Sequence, residues 1–249
     1  MKTGSIKVVV PARFGSQRVK VKSLRLLNKK PLIEYILGSL KDTRHLKDTY
    51  INSDSDFFGE IAKMNGLKFY KRKPELATSQ SLIDEYLYDF MKNEPSDYLA
   101  VVNPTSPFIT AEELDKAWEY YAENDFDTLL SCERIQTHCF YDGKAINFST
   151  NGKHPRSQDL KPVLALNFAI TIFDCKKYMA NYEQFAWGVY TGALGFYETE
   201  GNANIDIDYE EDFHFAEFVA RFMESGVSLE PEYSDLVKKI IEDKIETSN

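Results

Sequence analysis

The chain has 249 residues, 43% of them apolar and 14% aromatic, with a formal net charge of −9. That is enough for one sizeable core, and no apolar run is long enough to span a membrane. Three cysteines without a C-x-x-C pair and four histidines without an H-E-x-x-H spacing give no support for a disulfide framework or a zinc site. The first residues enter a strand-like run with no signal-peptide apolar region, which points to a cytoplasmic protein.

The first element, "IKVVVPA", is a short apolar run ending in proline and predicts a buried strand. It leads into a loop that answers to the uneven charge of the chain. Residues 1–33 carry nine basic side chains and no acid, whereas the other 216 residues carry 21 basic and 39 acidic ones, a net of −18. Such polarity focuses an anion at one place on a repelling surface. A nucleic-acid surface would be broadly positive, so nucleic acid is not the expected partner. "ARFGSQRVKVK" offers what a phosphate cradle needs: Gly15 and Ser16 for a tight bend, and Arg13, Arg18 and Lys22 as cations. Neither the P-loop pattern nor the dinucleotide glycine fingerprint is present.

Beyond the loop, strands and helices alternate. "PLIEYILGSLKD" is a helix by its period. "TYINSDSD" is a strand whose polar end caps the helix "SDFFGEIAKMNG", which stops at Gly66. "LKFYKR" is a third strand and "SLIDEYLYDFMKN" a helix. "DYLAVVNPTSP" is a fourth strand. "TAEELDKAWEYYAEN" is a helix with a Thr110–Glu113 capping box, and "FDTLLSCER" a fifth strand. This order predicts an α/β fold with a mostly parallel, doubly wound sheet, whose ligand sits beyond the carboxyl ends of the strands. The basic loop, "NSDS" and "NPTSP" all fall at that edge.

The middle of the chain differs. "HCFYDGKAINFS" reads as a hairpin turning at Asp142-Gly143, followed by a polar loop, and "VLALNFAITIF" and "WGVYTGALGFYET" read as β segments. "YEEDFHFAEFVARFMES" is a strong helix, and "EYSDLVKKIIEDKIE" a short amphipathic one. With no repeat, low-complexity tract or linker, residues 1–249 are expected to form one domain with a β-rich excursion over 135–165. Before the last long helix, "NIDIDYEEDF" is expected to be extended, which puts Asp206 and Asp208 on one face. Two carboxylates so close repel unless a cation lies between them, and Mg2+ takes oxygen ligands of this kind. Glu211 and Asp212 suit a helix N-terminus instead.

The loop resembles the N-terminal signature of the acylneuraminate cytidylyltransferases, roughly P-A-R-x-G-S-K-R-x-x-x-K-N-x-x-x-L-x-G-K-P-L-I. Pro11, Ala12, Arg13, Gly15, Ser16, Arg18, Lys22, Leu27, Lys30, Pro31, Leu32 and Ile33 match in register. Phe14, Gln17, Ser23, Asn28 and Lys29 depart from it, and Ser23 stands where the family has an Asn that contacts the base. "RKPELA" resembles R-P-x-x-L-A, "NPTSP" resembles Q-P-T-S-P, "RSQDLKPVLALNFAITIF" resembles R-x-Q-D-x-P…N-G-A-I-Y with Phe168 for Gly, and "IDID" matches the metal motif. The likeness spans about Val8 to Phe218.

The resemblance implies a nucleotide-diphospho-sugar transferase, GT-A-like sheet. It implies transfer of CMP from CTP to the anomeric hydroxyl of a sialic-like nonulosonic acid, with release of pyrophosphate. Ala12, Arg13, Gly15, Ser16, Arg18, Lys22, Ser23 and Arg72 would bind the nucleotide. Asn103, Thr105, Ser106, Arg156, Gln158 and Asn167 would bind the sugar acid, and Asp206 and Asp208 would hold Mg2+. Arg13, Lys22, Asp206 and Asp208 would be catalytic. The excursion would make a homodimer, with Phe140 and Tyr141 suited to an interface. Three alternatives stay open: another base or acceptor, a GT-A-like glycosyltransferase, and a nucleotide-binding relative without catalysis.

Overall fold

The computed structural model describes residues 2–15, 19–227, 230–238 and 240. The first strand, β1 (Ile6–Pro11), is followed by the two-residue strands β2 (Leu26–Leu27) and β3 (Lys30–Pro31), then α1 (Leu32–Asp42), β4 (Thr49–Ser53), α2 (Asp56–Met64), β5 (Lys68–Lys71), α3 (Ile83–Asn93), β6 (Tyr98–Val102) and α4 (Ala111–Glu123). The second half holds β7 (Thr128–Ile135), β8 (Phe140–Tyr141), β9 (Lys144–Ala145), β10 (Val163–Asp174), α5 (Cys175–Phe185), β11 (Leu194–Thr199) and α6 (Glu210–Ser225). Seven strands form one sheet in the order β11-β7-β10-β6-β1-β4-β5. All neighbours in it are parallel except the two pairs made by β10, which inserts antiparallel between β6 and β7.

The pleat sorts side chains to two cores. Val8, Val9 and Val10 are all fully buried. Val8 and Val10 pack with Ile33, Ile36 and Leu37 of α1 and Leu114 and Tyr121 of α4, while Val9 packs with Leu87 and Phe90 of α3 and Tyr178 of α5. A strand covered on both faces reads as a continuous apolar run, as "VVV" does. Local signals also hold: Thr110 Oγ1 accepts from Glu113 N at 3.2 Å while Glu113 Oε2 accepts from Thr110 N at 2.8 Å. The β8–β9 hairpin turns through Asp142 and Gly143 at φ 48° and 71°, the left-handed pair that an Asp-Gly turn supplies.

A third cluster joins distant parts of the chain. Val19 and Leu27 of the basic loop region, Leu32, Phe108 after β6, Ile207, and Phe213, Ala216 and Ala220 of α6 pack together. Burying these side chains clamps the amino-terminal loop to the carboxyl-terminal helix.

One helix is not expected from the sequence, one β segment needs correction, and one helix is only partly described. Helix α5 carries no clear sequence period, because only Cys175 and Tyr178 of it are buried; its start is set by Asp174, which accepts from Lys177 N at 3.0 Å. In the "WGVYTGALGFYET" segment only Leu194–Thr199 is strand. Its first part is held off the sheet by Asp84, whose Oδ1 accepts from Gly188 N at 2.6 Å and Val189 N at 3.0 Å. The expected tail helix is helical over 235–238, and most of its remainder lies outside the described residues.

Candidate active site

Strand β1 has parallel neighbours on both sides, β4 and β6, so the chain crosses over in opposite directions from it. A crevice opens at the carboxyl ends of such strands. Two adjoining clefts lie there. The first, about 320 Å³, is lined by Pro11, Ala12, Arg13, Arg72, Tyr86 and Asn103 together with Thr78, Ser79 and Ser81. The second, about 330 Å³, is lined by Asn103, Thr105, Asn167, Phe168, Tyr190 and Asp206 among others. Ile83 and Asn103 belong to both.

Two guanidinium groups face the first cleft. Arg13 Nη1 donates to Thr78 O at 2.9 Å. Arg72 is buried: its Nε donates to Asn52 Oδ1 at 2.7 Å, its Nη2 donates to Asn52 O at 3.0 Å, and its guanidinium carbon lies 4.0 Å from the Tyr86 ring centroid. Burial draws the Arg72 pKa down from the ordinary guanidinium range, Tyr86 and Asp54 oppose this, and the charge of Arg13 adds to it. Two like charges held in one polar cleft create a site where an anion or a strong acceptor relieves their repulsion.

In the second cleft, Asn103 Nδ2 donates to Phe168 O at 2.7 Å, which ties the loop after β6 to β10. The Asn167 side chain is held on all sides. Its Oδ1 accepts from Ser131 Oγ at 2.7 Å, and its Nδ2 donates to Thr199 Oγ1 at 2.6 Å and Asn204 Oδ1 at 3.2 Å.

The acidic pair meets the basic loop here. "NIDID" is an extended segment after a 3-10 turn (Gly201–Asn204) rather than a strand, anchored by Ile207 N donating to Thr105 O at 2.9 Å. Ile207 faces the third core cluster, which leaves Asp206 and Asp208 on the other side. Lys22 Nζ reaches across to donate to Ile207 O at 2.5 Å and to pair with Asp208 at 3.3 Å. Asp206 Oδ1 is buried without a hydrogen-bond partner. Burial pushes the Asp206 carboxyl up from the ordinary range; Thr105 opposes this, Asp208 adds to it and Lys22 opposes it. Asp212 accepts from the backbone N–H groups of Asp208 and Tyr209 at 2.9 and 2.7 Å, a helix-start role.

A buried carboxylate oxygen without a donor, beside a second carboxylate, is a chemical fit for a divalent cation. Among the described residues no group of three or more His, Cys, Asp or Glu is placed to hold a metal, so protein ligation would rest on these two aspartates.

Of the residues singled out in the sequence, Ala12, Arg13, Arg72, Asn103, Thr105, Asn167 and Asp206 line the joined clefts, with Lys22 and Asp208 beside Asp206. Gly15 lies in the loop, where an added Cβ would meet nothing within 4 Å. Ser23 and Ser106 are buried and line neither cleft. Arg156 and Gln158 also line neither; they are exposed on the excursion, where Arg156 pairs with Asp159 at 2.8 Å. Ser16 and Arg18 fall outside the described residues. Sequence reasoning missed Asn52, Tyr86, Asp84 and the Val189–Tyr190 wall. Tyr86 is indistinguishable from a core residue by its helical position, and Asn52 looks like one more turn residue.

The fold is one shared with nucleotidyltransferases. A solved CMP:2-keto-3-deoxy-manno-octonic acid synthetase complexed with CTP matches with a TM-score of 0.67 at 14% identity, covering 88% of this chain and 99% of that one. The 4-diphosphocytidyl-2C-methyl-D-erythritol synthase of Anaerococcus prevotii matches with a TM-score of 0.64 at 14% identity, covering 87% and 96%. The sequence model of the cytidylyltransferase family matches residues 7–241, and the chain belongs to that family. Among curated relatives, an N-acylneuraminate cytidylyltransferase of Streptococcus agalactiae is 28% identical over 246 residues, 93% of this chain and 58% of its own length. The post-translational flagellin modification protein B of Campylobacter coli is 27% identical over 87% of this chain and 95% of its own length. The chain thus spans little more than half the length of the streptococcal relative.

Proposed function

We propose that the chain transfers a cytidylyl group from CTP to the anomeric hydroxyl of a sialic-like sugar acid and releases pyrophosphate. One observation carries this reading. Lys22 meets Asp208, 186 residues away, beside Asp206, which lines a cleft that shares Ile83 and Asn103 with the cationic one around Arg13 and Arg72. A triphosphate needs charge neutralisation at both ends of its reacting bond, and such transfers depend mainly on positioning and electrostatics.

In this reading Arg72, fixed by Asn52 and Tyr86, presents its remaining N–H groups to the base, with Ala12 against the nucleoside. Arg13 takes up phosphate charge, joined by Ser16, Arg18 and the backbone around Gly15. Lys22 exchanges its contact with Asp208 for the phosphates. Asp206 and Asp208 would hold Mg2+, which when bound neutralises phosphate charge and acidifies the attacking hydroxyl. Asn103 and Thr105 border the acceptor cleft, and Asn167 shapes it through its locked amide.

The described residues lining the acceptor cleft include no cation, and a sugar acid brings a carboxylate. Arg156, with Gln158, sits on the excursion over 135–165, where Phe140 and Tyr141 are exposed. These features support a homodimer formed through the excursion, with Arg156 delivered toward a neighbouring cleft. Three free thiols and no membrane-crossing helix among the described residues are compatible with work in the cytoplasm.

Pyrophosphate release, measured with each of the four NTPs plus Mg2+ and a panel of 2-keto sugar acids, tests the reading. CTP with a nonulosonic acid is expected to give turnover. Turnover with a different NTP, or none with any acceptor, would overturn it. Light scattering at working concentration decides the dimer.

A further inference from the structure

The first turn of α3 carries two acids with different duties. Glu85 serves the helix itself: its Oε2 accepts from Leu82 N at 2.9 Å. That leaves Asp84 to reach a segment 104 residues further on, where its Oδ1 accepts from Gly188 N at 2.6 Å and from Val189 N at 3.0 Å. Gly188 and Val189 are buried, so their N–H groups need a partner inside the protein, and a carboxylate makes the stronger, charge-assisted kind of bond.

The segment is clamped along its length. Thr191 donates to Gly188 O from its N at 3.1 Å and from its Oγ1 at 2.7 Å. Thr128 Oγ1 donates to Thr191 O at 3.0 Å, and Asp127, paired with Lys177, accepts from Ala193 N at 2.9 Å. The Tyr178 ring backs Gly188 so closely that an added Cβ would come within 2.5 Å of it. Between these anchors Tyr190 is half exposed and lines the second cleft beside Val189 and Asp84. A backbone fixed at so many points makes Tyr190 part of a preset wall. The residue before Asp84, Ile83, lines both clefts, so the first turn of α3 links this wall to the cationic cleft.

We propose that Asp84 is a positioning residue for the acceptor: by holding Gly188 and Val189 it places Tyr190 at the wall of the second cleft, and it acts on acceptor binding through that side chain. This rests on the transfer reading above, because it assigns the second cleft to the acceptor.

The test is the kinetics of pyrophosphate release, with CTP and the sugar acid varied in turn. Asp84→Ala is expected to raise the acceptor KM at least about tenfold, since a displacement of about 1 Å can cost about 10²-fold, and to leave the KM for CTP within about twofold. Asp84→Asn keeps an oxygen for the two N–H groups and is expected to recover most of the loss. In a Tyr190→Ala background the effect of Asp84→Ala is expected to shrink to about twofold or less, because two residues acting as a unit are not additive. Effects that multiply in the double variant would make Asp84 a direct acceptor contact. An unchanged acceptor KM, or equal rises in both KM values, would make it a support of the fold alone. Each of these overturns the proposal. Should Asp84→Ala fail to fold, Asp84→Glu keeps the charge but displaces the turn by one methylene; it is expected to raise the acceptor KM alone, and no rise overturns the proposal. Hydrogen exchange over residues 186–193 reads the turn without turnover: Asp84→Ala should speed exchange at Gly188 and Val189, and unchanged rates would refute the hold. No turnover by the wild type with any acceptor, alongside faster exchange in the variant, sinks the transfer reading and the acceptor's place in the proposal while the hold of Asp84 on the turn stands.

Discussion

Replacing Asp206 by Asn is expected to stabilise the metal-free chain while removing turnover. Asp206 Oδ1 is buried without a partner, and burial, reinforced by Asp208 against the pull of Thr105 and Lys22, raises its carboxyl pKa. An acid with a raised pKa in the folded state binds its proton more tightly there than in the unfolded chain. Its ionised form therefore opposes folding above the folded-state pKa, and the opposition disappears below the unfolded value, about 3.9. Leaving such a group unsatisfied costs about 1–3 kcal/mol. A neutral amide that recovers part of this should gain about 1 kcal/mol, or about 2–4 °C in Tm for a chain of this size. Calorimetry in EDTA reads the effect. Asp206→Asn should melt above wild type near neutral pH, and the gap should narrow as pH falls toward 4. Mg2+ with CTP should raise the wild-type Tm and leave the variant nearly unmoved, since a ligand stabilises only the state that binds it. Turnover should drop by about 10²–10³-fold or more. A variant that melts below wild type in EDTA would mean Asp206 is satisfied within the fold, and the argument for a cation there would fail.

Ile207→Ala, at a fully buried position in the third core cluster, should cost about 2–5 kcal/mol in urea unfolding and Ile207→Val about 0.5–1.5 kcal/mol. It should also lower kcat/KM, because Ile207 anchors the two aspartates; lost stability with unchanged kcat/KM would refute that coupling. Burial pushes the Cys175 thiol up to about 12 and raises that of Cys132, whereas Cys139 is only half-buried. Ellman titration of the native chain at pH 8 should find one fast thiol and release the other two only in denaturant; three fast thiols would contradict the packing. The Lys7 ammonium at 2.7 Å, then the Tyr50 hydroxyl at 2.8 Å, hold the Glu94 carboxyl below its usual range. That contribution is present above about pH 4.3 and lost as pH falls through the lowered folded value, so Glu94→Gln should reduce the Tm difference between pH 7 and pH 3. An unchanged acid limb would show the pair to be inert.

The alternation of strand and helix, the Thr110 cap, the Asp142-Gly143 turn and the doubly buried "VVV" strand are all readable in the chain, because caps, turns and apolar periods act over a few residues. Helix α5 escaped because it buries too thin a stripe to leave a period, and the segment before β11 escaped because Asp84, far away in the chain, pulls it off the sheet. The cations of the loop and the paired aspartates were visible as residue types. Their separation in sequence gave no physical reason for them to meet.

That reason is tertiary. Val19 and Leu27, Phe108, and Ile207 with α6 come from three separate stretches and become one core only when each excludes water from the others. Local chemistry in the chain was thus enough to specify the elements and the inventory of charged groups. Packing alone decided that Lys22 faces Asp208, that Arg72 lies against Tyr86, and that Phe168 lines the second cleft, since each of these depends on contacts no short window of sequence contains.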